Sequence, residues 1–129
     1  MNANVFPPAI VGLDCEFVGN LAHGHVDEKE ETDILARVSI VDQSGHPIYD
    51  KYVLPTKTVT NYRTQWSGIR PENLTRKNGA IDFWKAQEDV AKIIVGKIVV
   101  GHQLDSDFKV SLAFFNVVLF FLNSILIHI

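Results

Sequence analysis

The sequence contains a single cysteine, Cys15, so no disulfide can form within the chain. Its first residues lack the basic segment and the long apolar stretch of a secretory signal peptide, so we expect none. Internal repeats and low-complexity linkers are also missing. A chain of 129 residues without these features is expected to form one intracellular domain in a reducing compartment.

Positive charge is scarce, because 12 Lys and Arg residues are outnumbered by 15 Asp and Glu residues. The net charge of −3 argues against a uniformly basic nucleic-acid binder, which must neutralise phosphates. The charges are unevenly distributed, however. Residues 27–33 contain five acids and one lysine, whereas residues 56–80 contain five basic residues and one acid. A basic surface can therefore exist on this acidic chain.

The apolar pattern predicts an α/β fold with the order β-β-β-α-β-α. Strands are expected at residues 10–18, 34–41, 48–54 and 97–101, and helices at 82–95 and from 105 onward. Residues 19–33 and 55–80 are expected to be loops, and Asp82 is expected to cap the first helix. If the fourth strand pairs parallel to the first, their carboxyl ends meet where open α/β sheets place their active sites.

Two acids interrupt the first apolar strand. Asp14 and Glu16 are two residues apart and point to the same face, whereas Leu13, Cys15 and Phe17 point to the other face and into the core. Neighbouring carboxylates repel each other unless a cation lies between them, and Mg²⁺ and Mn²⁺ prefer oxygen ligands. This spacing is compatible with a metal site and equally with a strand that has one solvent-exposed face.

A third acid is expected near the same place. Asp107 lies six residues past the fourth strand, where a helix would carry its side chain back over the strand ends. Asp105 is its rival, about 200° away around the helix. Acids also favour first helical turns for their dipole, so the residues alone leave the choice open. His102 follows the fourth strand, where a packed or capping histidine is the commoner case.

The segment 61–68 mixes aromatic and basic side chains. Tyr62 and Trp66 could stack on bases, and Arg63 could bind phosphate or ribose oxygens. The positive charge continues through three further residues, Arg70, Arg76 and Lys77. Alternatively, the two aromatic rings pack beneath a long loop that the basic residues keep in solution.

Five segments in order resemble the RNA exonuclease 4 family, which is close to the interferon-stimulated 20 kDa exonuclease within the DEDDh group of 3′→5′ exonucleases. They are VGLDCEFVG (11–19), LARVSIV (35–41), YDKYV (49–53), YRTQWSGIRP (62–71) and VGHQLDSDFK (100–109). The resemblance covers about residues 10–110. It implies a ribonuclease H-like mixed sheet that is incomplete at its C-terminus.

The resemblance also implies roles for individual residues. Asp14, Glu16 and Asp107 match the catalytic carboxylates that bind two Mg²⁺ or Mn²⁺ ions for phosphodiester hydrolysis. Arg63 matches an arginine that faces the substrate sugar, and Phe17 replaces the usual methionine beside the terminal nucleotide. The implied substrate is a single-stranded RNA 3′ end, with DNA as an alternative. Processing of precursor ribosomal RNA and a nuclear, nucleolar location are further expectations from the family.

The last part of the chain departs from this family pattern. Residues 1–110 are interpreted as the N-terminal part of an exonuclease domain, and 111–129 as a non-family apolar tail. The family's third motif, with a histidine base and a fourth aspartate, is not found, so impaired turnover is expected. The alternatives are an inactive RNA- or partner-binding remnant and a membrane-anchored interaction protein. Stable membrane association is the less favoured of these hypotheses, and the sequence does not indicate an oligomeric state.

Overall fold

The structure is a computed structural model, and it describes residues 9–21, 31–102 and 125–128 of the chain. These residues form five strands: β1 (Ile10–Leu21), β2 (Glu31–Val41), β3 (Pro47–Tyr52), β4 (Ile98–Gly101) and β5 (Ile125–His128). They also form two α-helices, α1 (Thr64–Ser67) and α2 (Phe83–Ile94). Two 3₁₀ turns lie at Pro71–Leu74 and Arg76–Asn78. The predicted α/β class is confirmed, with three strands before the main helix and a fourth strand after it.

The five strands form one mixed sheet in the order β3-β2-β1-β4-β5. The first three pair antiparallel as two consecutive hairpins. β4 pairs parallel to β1, with Ile10 opposite Ile98 and Gly12 opposite Val100. The parallel pairing on which the predicted site depends is therefore confirmed. β4 ends at Gly101, one residue after the Gly12–Val100 pair, whereas β1 continues to Leu21, so the carboxyl end of β4 lies beside the middle of β1 and not beside its end.

β5 was not predicted from the sequence. Ile125 to His128 pair parallel with β4, from Ile98 to Gly101. A short apolar run suits a strand in a parallel sheet as well as it suits a helix, and only a pairing partner distant in sequence separates the two. The predicted helix from residue 105 lies outside the described residues. Among the helices that are described, none has the length and apolar character that crossing a bilayer requires.

The predicted loop at 19–33 is wrong at both of its ends. β1 continues to Leu21 and β2 begins at Glu31, with Gly19 opposite Asp33 and Leu21 opposite Glu31 in the register. Polar composition indicated a loop there, but the antiparallel ladder extends beyond the apolar part of both strands because it is held by backbone hydrogen bonds. Residues 22–30 lie outside the described residues.

The core has two parts, one on each face of the sheet. The larger part lies between the sheet and α2, and its buried residues include Leu13, Cys15, Val38, Ile40, Ala86, Val90 and Ile94. The second part lies on the other face near the carboxyl end of β1 and contains Val18, Ile34, Ala36, Ile69 and Leu74. Ala36 is skipped where the β1–β2 register shifts between Glu16 and Phe17, which marks a bulge beside the acidic pair.

The predicted capping residue of α2 is in the expected position but makes different hydrogen bonds from those expected. Asp82 occupies the N-cap position in an extended conformation, but its side chain makes no hydrogen bond to the helix. Its carboxylate instead accepts two hydrogen bonds from Arg76, with Nη1 at 3.2 Å and Nη2 at 2.6 Å. Bonds between charged groups are stronger than a bond to a neutral backbone N–H, so the arginine retains the carboxylate.

Candidate active site

β1 places Asp14 and Glu16 on the face of the sheet opposite α2. Leu13 and Cys15 are buried on the α2 side, whereas Asp14 is exposed and Glu16 is half-buried. Phe17 also packs against the α2-side core, as the alternation predicts. Its expected position beside a terminal nucleotide is not evident from this packing, and that role stays a prediction.

The strands next to β1 add further polar groups to this face. Ser39 lies opposite Asp14 and Arg37 lies opposite Glu16 on β2, while Asp50 lies opposite Ser39 on β3. Arg37 donates from Nε and Nη2 to the two carboxylate oxygens of Asp50, at 2.8 and 2.7 Å. The Ser39 hydroxyl donates to the same carboxylate at 3.2 Å. The face thus combines three carboxylates with one guanidinium group.

Hydrogen bonding keeps both members of the Arg37–Asp50 pair charged. The hydrogen bond from Arg37 lowers the pKa of Asp50 below its ordinary value, with a smaller contribution from Ser39. The hydrogen bond to Asp50 likewise raises the pKa of Arg37, and the charge of Glu16 adds to this rise. The guanidinium also lies 5.5 Å from the centre of the Tyr52 ring, a cation–π distance. Arg37 is therefore held in place from two sides.

An open groove with a volume of about 430 Å³ lies beside Asp14. It is lined by the carboxyl end of β4 and the adjacent parts of β1 and β2, with the side chains or backbone of Gly12, Leu13, Asp14, Ser39, Val41, Val100, Gly101 and His102. A Cβ at Gly12 would lie 2.9 Å from Cγ2 of Val41, so a larger residue would crowd this wall. Of the two expectations for His102, packing in the core is wrong, because its side chain is exposed and lines the groove. A capping role stays a prediction.

The two carboxylates on β1, Asp14 and Glu16, are the candidate metal ligands of this face. Within residues 9–21, 31–102 and 125–128, no three His, Cys, Asp or Glu side chains come close enough to enclose an ion. Asp14 and Glu16 nevertheless offer oxygen donors on one accessible face, which fits a hard divalent ion that completes its coordination with water and substrate. Asp107, the third expected ligand, and its rival Asp105 lie outside the described residues.

Arg63 has an unusual backbone and two acidic partners. It adopts the left-handed conformation with φ 51° and ψ 34°, and among the described residues no other non-glycine has a positive φ. Nη1 donates to Asp33 at 2.6 Å, while Nε and Nη2 donate to Glu31 at 3.1 and 2.7 Å. Burial lowers the pKa of Arg63, but the hydrogen bonds that its guanidinium donates to the two carboxylates outweigh burial and raise the pKa overall.

Gly19 provides the space for this contact. A Cβ at Gly19 would overlap the side chain of Glu31. The Gly19 N–H donates to the carbonyl of Asn61 at 2.7 Å, which attaches the segment before Arg63 to the end of β1. Gly19 and Phe17 are two residues apart on β1, so they share the face of the sheet that carries α2. Asp33 lies opposite Gly19 and therefore belongs to the same face. The Arg63 guanidinium is thus bonded on the face opposite to that of Asp14 and Glu16.

The aromatic residues of the 61–68 segment take different positions. Tyr62 is half-buried and packs against the second core cluster, as the packing alternative predicts. Trp66 is 79% exposed on α1 and so does not pack beneath the loop. Trp84, on α2, is 72% exposed and was not identified from the sequence as a surface residue.

Arg37, Ser39 and Asp50 were also missed. Arg37 and Ser39 interrupt the apolar run of β2 at a spacing of two, the same pattern that identified the acids of β1. Asp50 could not be found in this way, because β3 is an edge strand whose residues are all exposed or half-buried, so no buried face marks its periodicity. Its position depends on the register of two hairpins.

Comparison with known proteins defines the class. The exonuclease family model matches residues 11–123, so this chain belongs to the exonuclease family. It is 52% identical over 100 residues to RNA exonuclease 4 of Mus musculus, covering 78% of this chain and 21% of that protein. It is 44% identical over 103 residues to interferon-stimulated 20 kDa exonuclease-like 2 of Bos taurus, covering 80% of this chain and 27% of that protein. The resemblance to RNA exonuclease 4 is thereby confirmed.

A solved structure shares the fold. The pseudoubiquitin hydrolase–RNA exonuclease module of Saccharomyces cerevisiae Pan2, in complex with AAUUAA RNA, superposes with a TM-score of 0.63 and 26% identity. The match covers 79% of this chain and 19% of that chain. The predicted ribonuclease H-like mixed sheet is confirmed. In each of these comparisons the chain spans less than a third of the other protein's length.

Proposed function

We propose that this chain forms part of an exonuclease that hydrolyses RNA from a single-stranded 3′ end with divalent metal ions. The observation that carries the proposal is the placement of Asp14 and Glu16 on one accessible face beside an open groove. Membership of the exonuclease family and the similarity to RNA exonuclease 4 support it. The RNA bound to the Pan2 module supports a single-stranded substrate.

The residues of β1 would hold the metal. Asp14 is exposed at the groove, and the half-buried Glu16 lies two residues further along the same face, so both carboxylates are on the same side of the sheet. Mg²⁺ or Mn²⁺ bound there would polarise the scissile phosphodiester and promote ionisation of an attacking water. Asp107 is proposed as a further ligand on the family resemblance alone.

Substrate contacts are proposed for the aromatic and basic residues outside β1. Trp66 is the best placed of these residues to stack on a base, because it is 79% exposed. Arg63 would contact phosphate or ribose after exchanging its acidic partners for RNA. Contacts by Tyr62 and Phe17, the 3′→5′ direction, the processing of ribosomal RNA and a nuclear location are proposals that rest on the family.

The metal site can be tested without a nuclease assay. In titration calorimetry with Mn²⁺, Asp14→Ala should weaken binding at least about tenfold, because it removes one charged ligand of a hard ion. Asp82→Asn is a suitable control, because this carboxylate is exposed and lies at the start of α2. Identical isotherms for the wild type and Asp14→Ala would remove the metal site, and with it the proposed mechanism.

The base-stacking role of Trp66 gives a second test. Trp66→Ala should weaken binding of a single-stranded RNA by about 1 kcal/mol, roughly fivefold, since stacking on an aromatic ring is worth about that much per base. Its exposure means that thermal stability should stay almost unchanged. Fluorescence anisotropy with a labelled RNA measures the affinity.

Trp84→Ala is the matched control for this variant. Trp84 is nearly as exposed as Trp66 but lies on α2, and its only described aromatic neighbour is Phe83 at 5.3 Å. An equal loss of RNA affinity in both variants would show that the assay measures non-specific binding to exposed aromatic residues and not a site at α1.

A further inference from the structure

Arg37 lies between two carboxylates of the proposed metal face, Glu16 on β1 and Asp50 on β3. It lies directly opposite Glu16 in the β1–β2 register, and its strand neighbour Ser39 lies opposite Asp14. Opposed residues on neighbouring antiparallel strands have their Cβ atoms about 4.5–5.5 Å apart, so the two side chains share one environment. The charge of Glu16 is indeed among the influences on Arg37.

The guanidinium is fixed by partners other than the proposed metal ligands. Two hydrogen bonds to Asp50, at 2.8 and 2.7 Å, form a bidentate pair, and the Tyr52 ring lies 5.5 Å away. Ser39 donates to Asp50 as well, so this carboxylate is occupied from two directions. Paired guanidinium and carboxylate planes are geometrically specific, which restricts both side chains.

We propose that Arg37 is a positioning residue of this site, a fixed countercharge that retains Asp50 on β3 and limits cation binding by Asp14 and Glu16. The inference rests on the proposed metal-dependent function and adds a residue to it. With Arg37 in place, the face has two more negative than positive charges. Without it, the excess is three and Asp50 loses its partner, so both changes favour a cation.

The expected size of the effect follows from electrostatics. A doubly charged ion near Glu16 and the guanidinium opposite it would be separated by about 7 Å, which at a near-aqueous dielectric corresponds to about a tenfold change in affinity. Arg37→Gln should therefore bind Mn²⁺ about tenfold more tightly than the wild type. Because misfolding or loss of ligands weakens binding, an increase is a result that a purely structural role would not produce.

Two further variants test whether charge and partner are responsible. Arg37→Lys keeps the positive charge and should restore affinity to within about twofold of the wild type. Asp50→Asn removes a negative charge and releases the guanidinium toward Glu16, so it should weaken Mn²⁺ binding severalfold. Arg76→Gln is the matched control, because Arg76 forms a similar bidentate pair with Asp82 at the start of α2. Its Mn²⁺ affinity should equal that of the wild type.

The experiment is calorimetric titration of each purified full chain with Mn²⁺, after urea unfolding has shown that the variant is folded. Tighter binding by Arg37→Gln with normal binding by Arg37→Lys supports the inference. Unchanged or weaker binding by folded Arg37→Gln overturns it while Asp14→Ala still tests the metal site. If Arg37→Gln does not fold, Asp50→Asn decides, and unchanged affinity overturns the inference. A folded wild type that binds no Mn²⁺ overturns the proposed function and this inference together.

Discussion

Asp14→Asn is expected to slow metal-dependent shortening of a 5′-labelled single-stranded RNA, for which the wild type itself is expected to have impaired turnover, at least about a hundredfold. Asparagine preserves the size and polarity of the side chain but removes the charge that would hold the ion beside the scissile phosphate. Lewis-acid stabilisation of the developing charge is worth several kcal/mol, and about 2.7 kcal/mol corresponds to a hundredfold change in rate. The measurement is the initial rate of product release with Mn²⁺, resolved on a denaturing gel.

The controls for this prediction separate three explanations. Asp82→Asn removes an exposed carboxylate at α2 and should shorten the RNA at the wild-type rate. Laddering by Asp14→Asn at the wild-type rate would show that Asp14 is not a catalytic ligand. A wild-type chain that binds RNA and Mn²⁺ without releasing product would favour the alternative of an inactive binding protein.

Arg63→Ala is expected to lower affinity for a single-stranded RNA by about 1–3 kcal/mol, the typical worth of a hydrogen bond to a charged group. The structure gives this variant an additional cost, because Glu31 and Asp33 lose their shared cation and their charges then repel phosphate. Loss of one phosphate contact should also reduce the slope of log affinity against log salt by about one. Anisotropy titrations at several salt concentrations measure both quantities.

Asp33→Asn is expected to have the opposite effect and to raise affinity for the same RNA. It leaves Arg63 in place and weakens one of its two acidic partners, so RNA should compete more easily for the guanidinium and bind more tightly. This variant also controls for stability, because both substitutions disturb the same ion pair. A loss of RNA affinity in Asp33→Asn equal to that in Arg63→Ala would mean that the pair acts only by holding the segment 61–68 in place.

The acidic pair on β1 was predictable because strand periodicity is local. Asp14 and Glu16 share a face by their spacing alone, and the flanking apolar residues determine which face is buried. The element order was compatible with a parallel pairing of β4 and β1, since a helix between two strands favours a parallel crossover, and the structure shows this pairing. Together these two features place Asp14 next to the groove at the carboxyl end of β4.

The hydrogen-bonding partners of Arg63 and Arg37 could be identified only from the folded structure. Arg63 binds Glu31 and Asp33, which lie 32 and 30 residues earlier in the sequence. The space for the Glu31 side chain exists because Gly19 has no side chain. The family resemblance implied that Arg63 faces a sugar. No local sequence pattern indicated that its guanidinium is hydrogen-bonded to two carboxylates of this chain. Asp50 reaches Arg37 through a hairpin whose register the sequence did not specify.

The mixed sheet has a consequence for the order in which the protein folds. β1, β2 and β3 are consecutive in the chain and pair through hairpins, so their contacts close short loops at low entropic cost. β4 reaches β1 only after the long segment that contains α2, and such distant contacts form slowly. We therefore expect the meander to form first. The carboxylates would then be in place on their strand before β4 arrives to complete the wall of the groove.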